Sequence, residues 1–218
     1  MTTPILQLKP EFKRLLEGGT SAMTIANADM AGSSFAAACE NLSLTGCDFA
    51  GSKNIQLSAM RNCRFINCSF LAPDHDFGKM ANVSFTQCKS SGRSIFGGTD
   101  GSTGVLFDQC TFSGGAAAPQ SFEGIGCTGE ITFRGCIGQG EVLVSGTRLT
   151  VQNCQFGSMT FVVGRPRKRG APLSATVLFD GCQGTGVWRM AEGRMQDSDI
   201  RNSNFEEIVY EGMEGGSE

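Results

Sequence analysis

Ten cysteines, a single histidine and a few clusters of charge are the residues of this 218-residue chain whose types could do chemistry. An even number of cysteines could form a disulfide framework, and clustered ones could hold a metal. The segment "PDHDFGK" (73–79) sets Asp74, His75 and Asp76 side by side, a set that could bind a cation or pass protons. Asp108 and Asp180 recur in the same setting, each after Phe and two residues before Cys, as paired carboxylates of a carbohydrate-cleaving site would need. The segment "VVGRPRKRGAP" (162–172) gathers Arg165, Arg167, Lys168 and Arg169, which could dock an acidic protein surface, phosphate groups or nucleic acid.

Whether these groups meet depends on the elements that carry them, and the cysteines reveal those elements. Short phrases related to "FINCSF" (65–70) recur along the chain. Their pivots are Ala28, Cys47, Cys68, Cys88, Cys110, Cys136, Cys154, Cys182 and Ser203, at spacings of 19, 21, 20, 22, 26, 18, 28 and 21 residues. A period near two dozen residues marks a stacked array. Three residues before the pivots stand Ile25, Leu44, Phe65, Phe85, Phe107, Phe133, Val151, Phe179 and Ile200. Five before them stand Met23, Leu42, Cys63, Val83, Val105, Ile131, Leu149 and Val177, with Ser198 breaking the row. Apolar residues at every second position belong to strands. The residue just before each pivot is Asn, Gly or Gln, and Asn and Gly tolerate a left-handed backbone, so a corner is expected there.

Each unit therefore reads as strand, corner, short strand, looser corner and third strand. Third strands are expected at 55–57, 94–96, 141–144, 160–163 and 186–188, and a last one at 208–210. The predicted fold is all-β: a single-stranded right-handed parallel β-helix of about nine coils, roughly 40 Å long at about 4.8 Å per coil. It spans 23–210, between an N-terminal cap (1–22) and a disordered acidic tail (211–218). In the cap, "LKPEFKRLLEGG" (8–19) suits a short helix, with Pro10 early in it, apolar Leu8, Phe12, Leu15 and Leu16, and Gly18 and Gly19 as a stop. Such a helix would plug the open end of the coil.

This frame weighs the candidate chemistry. Seven cysteines are pivots and Cys63 lies five before one, so eight of the ten (all but Cys39 and Cys127) are expected to be buried thiols acting as small fillers. Sixteen Phe against one Trp and one Tyr suit the same narrow core. With one His and no Cys-x-x-Cys pair, no metal or other cofactor is expected. Residues 74–76 read as a solvated polar turn. The counterparts of Asp108 and Asp180 are Thr86, Arg134, Gln152 and Arg201, so no acidic stripe forms, and Trp188 and Tyr210 are few for a sugar platform. The expectation is a protein that is not an enzyme.

"IANADMAGSSF" (25–35) and "CRFINCSF" (63–70) resemble pentapeptide-repeat proteins, whose five-residue units place a small residue two before a Phe, Leu or Met. The resemblance covers residues 23–70 and implies a similar four-sided right-handed β-helix. Some members of that family mimic DNA and bind topoisomerases, and others are effectors delivered into host cells.

A net charge of −3 implies no partner by itself. The distribution says more. Residues 161–194 hold six basic and two acidic side chains, whereas 196–218 hold one and seven. The loops 97–104, 124–130, 164–175 and 191–198 all follow a third strand, so they should line one edge of the rod and bring Arg194 near the basic run. The first function expected is thus a non-enzymatic scaffold that binds a protein partner at that edge through Arg165, Arg167, Lys168, Arg169 and Arg194. Nucleic acid is a second class of partner, and oligomerisation is open. A carbohydrate-active β-helix (lyase, hydrolase or lectin-like) is one alternative. A DNA mimic is another, although the basic insertion argues against it. No apolar signal core opens the chain and no apolar run is long enough to span a bilayer. Reduced thiols point to the cytoplasm, or to a host cytosol for a delivered effector.

Overall fold

Every second residue of the repeat turns inward, and the strands close on one another by parallel pairing alone. The computed structural model describes residues 6–7, 20–31, 34–35, 38–50, 54–56, 59–71, 74–91, 93–95, 102–113, 120–163, 174–191, 194–195 and 198–211. Within these residues the chain is all-β, a parallel β-solenoid with no helix. In-register pairing carries Ile25 to Leu44, Phe65, Phe85, Phe107, Phe133, Val151, Phe179 and Ile200 in turn. This is the row read from the sequence. Its members before Ile200 are at most 8% exposed.

The stacking has a direct physical cause. Strand spacing of about 4.8 Å is also a comfortable ring separation, so Phe can repeat without strain. Phe65, Phe85, Phe107 and Phe133 stack with centroids 4.9, 5.0 and 5.0 Å apart and planes within 11°. The row two residues after the pivot holds Phe49, Phe70, Phe112 and Phe156, all buried. Ser90 interrupts it and leaves a cavity of about 10 Å³ beside Phe70, Phe85, Phe107 and Phe112. That is room for one water molecule at most.

The expected corners are present. Asn27, Gly46, Asn67, Gln87, Gln109, Gly135, Asn153, Gly181 and Asn202 have φ between 48° and 66°. Their side chains pack along the rod: Gln87 Nε2 donates to Gln109 Oε1 at 3.1 Å. At Gly46 and Gly181 the Asn of the coil below occupies the missing Cβ, and a Cβ on Gly181 would lie 2.3 Å from Asn153 Oδ1. Gly181→Ala is therefore expected to cost about 1–2 kcal/mol for the left-handed backbone, with overpacking added. Adding Asn153→Gly should recover the overpacking part only. Urea titration of the three chains checks this, and a Gly181→Ala variant as stable as the parent would refute the account.

A second left-handed corner, six residues before the pivot, is formed by Ala22, Asn41, Asn62, Asn82 and Gly104. Asn62 Nδ2 donates to Asn41 Oδ1, and Asn82 Nδ2 to Asn62 Oδ1, each at 3.3 Å. Past residue 110 it disappears among the described residues, and strands such as Gln120–Arg134 and Ile137–Gln152 run long. Two expectations are corrected here, at 124–130 and at 74–76. Residues 124–130 lie inside the strand Gln120–Arg134, because parallel pairing with Ile137–Gln152 continues through irregular register. Asp74–Asp76 is a strand between Asn54–Gln56 and Arg93–Ile95, not a polar turn. Trp188 is fully buried, packed over Gly184 and beside Phe179 and Phe205, so it offers no sugar platform.

Among the expected third strands, 55–57 and 94–96 appear as Asn54–Gln56 and Arg93–Ile95, and the later ones fall inside longer strands. Thr20–Ser21 already pairs with Cys39–Glu40, and Leu6–Gln7 with Ala28–Asp29. The expected capping helix (8–19) and the tail beyond Glu211 lie outside the described residues.

Candidate functional site

The basic segment lies between two strands of the array. Val163 closes the strand Gln155–Val163, paired with Gly146, and Ser174 opens the strand Ser174–Asp180. Arg165, Arg167, Lys168 and Arg169 lie outside the described residues. Arg194 is placed: it begins the short strand Arg194–Met195, in parallel register with Ser174–Ala175. Its backbone therefore lies one strand spacing from Ser174, the first described residue after the basic segment. Of the other edge segments expected beside it, 97–101, 192–193 and 196–197 lie outside the described residues.

The carboxylate row is interrupted by cationic and amide side chains. Asp108, Arg134, Gln152, Asp180 and Arg201 follow one another in register. Arg134 donates from Nε and Nη2 to Asp108 at 2.9 and 2.7 Å. The hydrogen-bonded guanidinium holds the Asp108 carboxyl below its usual range. Asn202 Nδ2 donates to Asp180 at 3.0 Å. Asp108 is thus held as an ion pair, the opposite of the raised pKa a general acid needs.

The described cysteines are free thiols and buried. They are more than fillers. Cys68, Cys88, Cys110, Cys136 and Cys182 each donate to a backbone carbonyl of the coil below, at 3.2–3.5 Å. The Cys136 N–H donates to Cys154 Sγ at 3.3 Å, and the Cys182 N–H to Ser203 Oγ at 3.0 Å. Pivot side chains thus serve backbone groups left over at the corner, and Ser203 can replace Cys for that reason. Burial pushes the Cys63 and Cys182 thiols above their ordinary range. Hydrogen bonding with Cys110, then burial, raises Cys136 to about 12. Thiols held protonated in this way, as at Cys63, Cys136 and Cys182, are poor nucleophiles and poor metal ligands.

Sequence reasoning missed Cys39. It stands eight residues before its pivot, in a buried row with Met60, Met80 and Ser102. Cys39 pairs with Met60 and Met60 with Met80, and the Met80 N–H donates to Ser102 Oγ at 2.9 Å. The constant spacing of eight was the available signal.

Among the described residues no group of three or more His, Cys, Asp or Glu is placed to hold a metal ion, and no helix is long and apolar enough to cross a membrane. Comparison with protein-family models, curated proteins and solved structures found no match.

Proposed function

We propose that this protein is a non-enzymatic interaction scaffold: a right-handed β-helix of nine coils with an N-terminal helical plug, which binds an acidic protein partner at one edge. The in-register row from Ile25 to Ile200 supports the count. The strong preference of parallel crossovers supports the hand. The partner site is Arg165, Arg167, Lys168, Arg169 and Arg194.

One observation carries the reading. Ser174, the first described residue after the basic segment, is in register with Arg194, so a further cationic residue distant in sequence sits one strand away from the strand that follows that segment. Insertions at such points vary without harming the stacked coils, and binding is commonly built on them. A reducing location, the cytoplasm or a host cytosol, suits a core of free thiols.

The test replaces Arg165, Arg167, Lys168 and Arg169 together with Ser. Immobilised parent and variant are compared for the proteins they retain from a lysate of the source organism. The variant should keep the parent's circular dichroism and lose an acidic partner, with the larger contrast at low salt, where screening is weakest. Retention of the same proteins by a folded variant would overturn the proposal.

A further inference from the structure

The array ends, among the described residues, in an edge that carries both apolar side chains and strand-pairing groups. Ile200 is 41% exposed, whereas its counterparts in the same row are between 0 and 8% exposed. Phe205 and Ile208 are only partly buried, in contrast to the fully buried Trp188 beneath them. Asp199–Arg201 pairs below with Ser174–Asp180, and Asn204–Glu211 pairs below with Gln183–Ala191. Neither has a described strand above it.

The backbone groups on that edge are known from the lower coils. There the N–H of the corner residue donates to the coil above, as Asn153 does to Asp180 O at 2.8 Å and Gly181 to Arg201 O at 3.0 Å. Asn202 holds the same position in the last coil. Groups alternate along a strand, so Ile200, two residues earlier, directs its N–H and C=O to the same side, which no described strand covers. Open edges of this kind pair with further strands.

The charges on the edge choose the occupant. Antiparallel pairing of Asp199–Arg201 with itself, about a two-fold axis at Ile200, makes the two Ile200 residues a hydrogen-bonded pair. It sets Asp199 opposite Arg201 of the second copy, and Arg201 opposite its Asp199. Within one chain the two already form an ion pair, Arg201 Nε to Asp199 Oδ2, so both face outward on adjacent slots. A patch that is its own complement about a two-fold is the requirement for an isologous dimer.

We infer that two copies of this chain dimerise end to end through the edge Asp199–Arg201, forming one continuous double-length rod. The inference does not involve the basic segment. It is tested by sedimentation equilibrium of the 218-residue chain and three variants. The parent should be a dimer. Asp199→Arg and Arg201→Asp each place like charges opposite one another twice and should weaken the dimer about tenfold. The double variant Asp199→Arg with Arg201→Asp restores opposite charges and should restore the dimer. Circular dichroism confirms that each chain folds. A parent that stays monomeric, a mass that grows without limit as a head-to-tail filament would, or a dimer indifferent to both single changes would each overturn the inference.

Discussion

Phe107→Ala is expected to destabilise the protein by about 3–5 kcal/mol, while Thr86→Ala, on the outward row one coil below, should change stability by no more than about 0.5 kcal/mol. Phe107 lies between Phe85 and Phe133, 5.0 Å from each, and meets Phe112 edge-on at 5.7 Å. Removing its ring takes away both stacking faces at once. The site cannot close over the void, because the backbone above and below is held at strand spacing by Val83–Val105–Ile131 pairing and its neighbours. Phe133→Ala should behave alike. Denaturant titration measures both kinds of change, and equal small losses at Phe107 and Thr86 would show that the rows are not interior and exterior as described.

The thiols give the second large effect. Cys68, Cys88, Cys110, Cys136 and Cys154 are at most 4% exposed, so an alkylating reagent should reach them only when the coil opens. Modification in native buffer should be slower by several orders of magnitude than in denaturant, following the opening free energy. Mass spectrometry after brief labelling reads the result directly. A reducing agent should leave the melting temperature unchanged, since these residues form no disulfides. Fast native labelling, or a drop in melting temperature on reduction, would contradict a closed ladder of free thiols.

Much of this architecture was legible because stacking imposes a rule on each residue separately. A row that sits above itself every coil must repeat side chains that tolerate their own copy at about 4.8 Å, and Phe, Leu, Ile and Val at 25, 44, 65, 85, 107, 133, 151, 179 and 200 display that rule. The left-handed corner was legible for the same kind of reason. Even Gln87 and Gln109, which tolerate that conformation less well than Asn, adopt it with φ of 54° and 53°. Other features depend on what lies one coil away and left no such mark. Trp188 is buried because Gly184 vacates the row below Phe205. Residues 124–130 are strand because Ile137–Gln152 pairs with them, although their Gly and Thr content resembles a loop.

The candidate site divides along the same line. The basic run at 165–169 is a property of the sequence, since four charges so close together need no fold to be neighbours. That Arg194 lies beside Ser174, five residues beyond that run, is a matter of register, and only the pairing of the two strands shows it. The pivot cysteines show the division most clearly. Their spacing and burial followed from the repeat alone, because a small residue is needed wherever the chain turns inside a narrow coil. Their hydrogen bonds to carbonyls of the coil below, and the exchange of Cys for Ser203 at the last turn, were decided by tertiary structure, because a thiol and a hydroxyl become equivalent only when a neighbouring backbone N–H needs an acceptor.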